Sequence, residues 1–159
     1  MHFGRHSSAG DRGVPTYGRA RRLELSGLDA AAAASRAFTR GTITAWGLDH
    51  PRDGSDDVDL MADALVSVSE LVTNAGRHGG GARLLELVWT PPDLLRIEVF
   101  DTAPQFPALR RTQPLESVGG YGLQVVGLLC DRWGVTSRRD VVGKSVWAEL
   151  EHAGPRRLP

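Results

Sequence analysis

The chain has 159 residues, enough for one domain with a real core and too few for two comfortable ones. Hydrophobic residues at 41% and charged residues at 24% are ordinary globular values, and a formal net charge of zero removes the usual argument for nucleic acid as a direct partner. The single cysteine, Cys130, excludes an intrachain disulfide, and no stretch approaches the roughly 20 apolar residues of a membrane helix, so a cytoplasmic protein without membrane contact is expected.

Residues 1–19 are rich in Gly, Ser, Arg and His without periodicity and read as a disordered tail lacking the apolar stretch of a signal peptide. Arg22-Leu23-Glu24-Leu25 alternates as a short strand does. Ser26 or Asp29 can then cap a helix over the alanine-rich run from Ala30 to about Trp46, with Gly47 as its stop signal. Residues 49–55 read as a loop. A second helix is expected from about Asp56 to His78, because Met61, Ala64, Leu65, Val68, Leu71, Val72 and Ala75 recur at steps of three and four. Gly79-Gly80-Gly81 ends it.

Leu84 to Thr90 and Leu94 to Phe100 suit two strands joined by a hairpin turn at Pro91-Pro92-Asp93. Residues 102–118 have little periodicity and form a long loop of the kind that often closes over a site. A helix from about Gly120 to Asp131 follows; within it Cys130 lies in an apolar run that predicts a buried thiol. Trp133 to Ser137 and Ser145 to Glu151 complete the pattern as an antiparallel pair about Val142-Gly143. Lys144 is the only lysine among many arginines, which reads as compositional bias. Mixed helices and hairpin strands predict an α+β fold, a two-layer sandwich with the helices on one face of one sheet, spanning 20–152, with a flexible tail at 153–159.

On the second helix Glu70, Asn74, Arg77 and His78 cluster opposite the apolar arc, with Asp59, Asp63 and Ser67 on the same side. This face reads either as a solvated surface or as a site. As a site, Glu70 can accept a proton and the amide oxygen of Asn74 can ligate a hard cation such as magnesium, with Arg77 and His78 toward a phosphate chain. Asp101, at a strand end, is either a turn former or an acceptor for an exocyclic amine such as adenine's. Gly119-Gly120-Tyr121-Gly122-Leu123 opens a helix, where backbone N–H groups can approach an oxyanion. It lacks the lysine and hydroxyl ending of a P-loop, and it does not follow a first strand as a Rossmann turn does.

Taken in order, Ser69-Glu70-Leu71-Val72-Thr73-Asn74-Ala75 with Arg77-His78-Gly79, then Val99-Phe100-Asp101, then Gly119-Gly120-Tyr121-Gly122-Leu123, then Gly143-Lys144-Ser145-Val146-Trp147, the series resembles the nucleotide-binding boxes of the GHKL ATPase superfamily. The nearest likeness is the branch of RsbW and SpoIIAB, anti-sigma factors that are serine kinases. The resemblance implies the Bergerat sandwich holding ATP and Mg2+ between helices and sheet. It puts Glu70 in the position of the general base and Asn74 on magnesium. Arg77, His78 and the glycines Gly119, Gly120 and Gly122 lie near the phosphates, with Tyr121 and Leu123 in the same segment. Asp101 holds the adenine amine, with Ser145 nearby through water, and Ala103 stands where the family has a glycine. Pro104 and Pro107 then stiffen the loop expected to act as the lid. By the same resemblance the protein is a regulatory serine/threonine-protein kinase. Its partners are an anti-sigma-antagonist (STAS-type) protein, a sigma factor, or both, and a homodimer is compatible. The alternative is a non-catalytic ATP-binding regulatory module.

Overall fold

The computed structural model describes residues 18–50, 59–78, 80–103, 121–137 and 142–152, with only the backbone of His78. Most of the expected N-terminal tail, the tail at 153–159, the loop residues 104–118 and the glycines Gly119 and Gly120 lie outside the described residues, as do Gly79 and most of the loop at 49–55.

The elements follow the expected order: β1 (Arg19–Glu24), α1 (Ala31–Ala45), α2 (Leu60–His78), β2 (Ala82–Thr90), β3 (Leu94–Asp101), α3 (Gly122–Leu129), β4 (Arg132–Ser137) and β5 (Lys144–Glu151). The strands form one sheet in the order β1-β2-β3-β5-β4, and every pairing is antiparallel. The helices pack on one face of it, with α2 between α1 and α3 and against β2, β3 and β5. The fold is therefore a two-layer α+β sandwich.

Strand alternation decides which side chains meet the helices. On β3 the residues Leu95, Ile97, Val99 and Asp101 are buried and their neighbours are half-exposed. Directly opposite residues of an antiparallel pair share a face, so Leu85, Leu87 and Trp89 of β2 and Val146, Ala148 and Leu150 of β5 join the same core. The other sheet face is polar. There Arg96 binds Glu98 through Nε at 3.1 Å and Glu149 through Nη1 at 2.9 Å, and its guanidinium lies 4.2 Å over the Trp147 ring.

Helix ends follow local chemistry, with two departures from expectation. Neither Ser26 nor Asp29 caps α1: the N-cap is Ala30 with no side-chain bond, and the Ser26 hydroxyl donates to Glu24. At the other end Gly47 adopts φ +72, Gly47 N–H reaches Thr44 O and Leu48 N–H reaches Ile43 O, each at 3.0 Å. This is a Schellman ending, sealed by the buried pair Ile43 and Leu48. Helix α2 begins later than the hydrophobic pattern suggests, because Asp59 Oδ1 accepts from Ala62 N–H at 3.0 Å and sets the N-cap there. Ser67 is not on the polar face: it is wholly buried, because steps of three and four from Ala64 and Leu71 carry it into the interface. Cys130 is half-buried, and loss of solvation, then the neighbouring Asp131 charge, push its thiol up to about 11, so it stays protonated and unreactive near neutrality. Among the described residues no helix is long and apolar enough to cross a membrane.

Candidate functional site

Helix α2 packs against α3, β3 and β5, and Glu70 of its polar face reaches the start of α3. Glu70 and Asn74 are both half-buried, one turn and about 6 Å of rise apart, and Arg77 is exposed. A Cβ on Gly122 would lie 2.7 Å from Glu70 Oε2, so the carboxylate rests against the bare Cα at the start of α3. Two segments far apart in sequence thus meet at one place. The N-cap of α3, Tyr121, makes no side-chain cap bond, so the first-turn N–H groups are not engaged by it.

The turn after α2 lies against the residue that follows β3. Gly81 N–H bonds Ala75 O at 3.0 Å, and a Cβ on Gly80 would lie 3.3 Å from Thr102 Oγ1. Asp101, the last residue of β3, stands opposite Ala82 on one side and Lys144 on the other. It is 5% exposed. Its Oδ1 accepts from Ala103 N–H and from Lys144 Nζ, each at 2.9 Å. Its Oδ2 is also 2.9 Å from Lys144 Nζ, yet at an angle that makes no hydrogen bond. We read that contact as an ion pair that leaves a buried acceptor lone pair open. Gly143 is held tightly beside it: φ is +139, and a Cβ would fall 2.2 Å from Asp101 O.

The expected residues are not all gathered here. Ser145 lies opposite Phe100, on the far face of the sheet from Asp101, and its hydroxyl donates to Glu98. A one-residue step along a strand reverses the side-chain direction, so it is Lys144 that faces Asp101. Leu123 is a core side chain, 9% exposed, and offers the site only its backbone. Ala103 contributes its N–H to Asp101. The side chain of His78 and the residues Gly119 and Gly120 lie outside the described residues. Lys144 is the residue that sequence reasoning missed. The available signal was its place as the sole lysine, directly after a glycine at a strand start.

Chemically the region offers a half-buried carboxylate beside a helix start, an amide oxygen one turn on, and a buried acid with an open acceptor. Among the described residues no group of three or more His, Cys, Asp and Glu side chains is gathered that could hold a metal ion alone.

In fold the chain is similar to a crystal structure of the RsbU and RsbW domains of Rv1364c from Mycobacterium tuberculosis, with a TM-score of 0.56 and 19% sequence identity. The likeness covers 84% of this chain and 32% of that one, so the chain spans about a third of the protein it matches. No protein-family model matches the chain, and no curated protein matches it.

Proposed function

We propose that this protein is an ATP-binding regulator of the anti-sigma type, with serine/threonine kinase activity toward a small antagonist protein. The observation that carries the reading is the Glu70 carboxylate lying against Gly122 at the start of α3; Asp101, buried at the end of β3 with an Oδ2 that makes no hydrogen bond, supports it. An adenine nucleotide fits this donor set. The open Oδ2 of Asp101 is the acceptor that an exocyclic amine satisfies, and a charge-assisted bond of that kind contributes about 1.5–3 kcal/mol. Magnesium fits Asn74 as a single protein ligand, since this ion keeps most of its shell as water and phosphate oxygens. The fold likeness to a structure containing an RsbW domain supports the same class.

Bound ATP would supply the γ-phosphoryl group and magnesium the charge that balances the phosphates. Glu70 would hold the partner's serine hydroxyl and take its proton as the serine oxygen bonds to the γ-phosphorus, while the bond from that phosphorus to the bridging oxygen of the β-phosphate breaks and ADP leaves. The first turn of α3, whose N-cap side chain makes no cap bond, would face the phosphate charge. Asp101 would anchor the base and Asn74 would orient the metal.

Calorimetric titration with ATP tests the reading. Asn74→Ala should weaken binding mainly when magnesium is present, and Asp101→Asn should weaken it with or without metal. Labelled ATP with an anti-sigma-antagonist protein should give a phosphoserine that disappears in Glu70→Ala. Tight ATP binding with no transfer to any antagonist would leave the non-catalytic regulator as the correct account. Equal losses in both variants under all conditions would remove the roles assigned.

A further inference from the structure

Lys144 has no role in the reading above, and its setting is unusual. It is the chain's only lysine, it is 3% exposed, and its ammonium sits 2.9 Å from both oxygens of a buried carboxylate. A buried ammonium requires a partner, and Asp101 is that partner. The pair is more than a neutralised charge, however. An ammonium carries three donors. One reaches Asp101 Oδ1, and the contact with Oδ2 makes no hydrogen bond. The pair therefore sets a buried donor beside a buried acceptor that makes no hydrogen bond, on the helix-facing side of the sheet where β3 ends and β5 begins. Gly143 fixes this juxtaposition, because its backbone is packed directly against the Asp101 carbonyl.

A carboxylate alone offers only acceptors. It suits the exocyclic amine at the 6-position of adenine and opposes the 6-oxo group of guanine or hypoxanthine, which is itself an acceptor. A site that must leave buried polar groups unpaired rejects the wrong ligand strongly. Adding Lys144 changes that rule. Against adenine, Asp101 Oδ2 accepts from the amine. Against a 6-oxopurine, Nζ donates to the oxo oxygen while Oδ2 accepts from the ring N–H beside it. We propose that Lys144 is a specificity-determining residue that opens the base site to 6-oxopurine nucleotides as well as adenine nucleotides. The proposal rests on the nucleotide reading of this site, and the experiment separates the two.

The test is calorimetric titration of the full chain with the magnesium complexes of ATP, GTP and ITP, the last because inosine isolates the oxo group from the 2-amino group. The native protein should bind ITP within about tenfold of ATP. Lys144→Met should raise the ITP dissociation constant at least about tenfold more than that of ATP, and Lys144→Arg, which keeps a donor, should preserve ITP binding. Circular dichroism checks that each variant folds; where Lys144→Met does not, the native ITP-to-ATP ratio decides. Native protein that binds ATP yet rejects ITP by more than about a hundredfold overturns this proposal alone. Equal weakening of ATP and ITP in folded Lys144→Met does the same. Failure of all three nucleotides to bind overturns it together with the nucleotide reading.

Discussion

Gly143 and Gly122 each lie against a residue that bears a carboxylate, but a methyl group added at each would meet different atoms. At Gly143 it would strike the Asp101 carbonyl at 2.2 Å and hold a non-glycine residue at φ +139. Backbone cannot step aside as a side chain can, so Gly143→Ala should cost at least about 2 kcal/mol of stability, read by urea unfolding. At Gly122 the nearest atom is Glu70 Oε2, the far end of a flexible chain. Gly122→Ala should therefore stay within about 1 kcal/mol of native stability while displacing the proposed base, so that phosphotransfer falls by about tenfold or more. A Gly143→Ala protein as stable as the native one would refute the backbone clamp. Undiminished transfer in Gly122→Ala would refute the role of that close contact. The same scale shows what a motif leaves open. The resemblance put Ser145 near the adenine amine through water, but the side of a strand is set by register, and register turns Ser145 toward Glu98 and Lys144 toward the acid.

Element types were legible because period and punctuation agree. The apolar repeat of α2 and its closing glycines specify the same helix, although its capping carboxylate Asp59 was read only as part of the polar face, and Gly47 ends α1 through a left-handed residue that glycine adopts without strain. Strand neighbours were less legible, since hairpin chemistry fixes β2 beside β3 but nothing local inserts β5 between β3 and β4. The contact surface of α1 was not legible either. Its buried side includes Ser35, Thr39 and Thr42, each at most 1% exposed, and Ser67 of α2 is wholly buried; none of these hydroxyls has a hydrogen-bond partner among the described residues. A hydrophobicity pattern cannot locate a buried face made of hydroxyls. Such groups lose hydration without recovering a bond, at about 1–3 kcal/mol each. Thr39→Val keeps the shape and removes the orphaned oxygen, so it should raise stability by about 1 kcal/mol, seen as a higher midpoint in thermal unfolding. A loss of stability instead would mean that the hydroxyl is satisfied by bound water.

At the scale of the molecule, the candidate site draws on α2, β3, α3 and β5, so it exists only while the helices and the sheet stay together. A ligand held there binds the folded chain and not the unfolded one, and must raise its stability by mass action. With ATP and magnesium at a hundred times the dissociation constant the gain is about 2.7 kcal/mol, which for a domain of this size raises the melting temperature by about 5–10 °C. Magnesium alone should give almost none of this, because among the described residues no cluster of three ligating side chains is present to hold it without phosphates. Asp101→Asn should lose about half to nine tenths of the shift at the same ATP concentration, because a missing charge-assisted bond of about 1.5–3 kcal/mol weakens affinity by about one to two orders of magnitude. The comparison is made against each protein's own ligand-free melting temperature, since Asp101→Asn also leaves the Lys144 ammonium buried without a counter-charge and lowers the baseline. A full shift retained in that variant would place the nucleotide away from Asp101, and a shift produced by magnesium alone would place a metal site where these side chains do not converge.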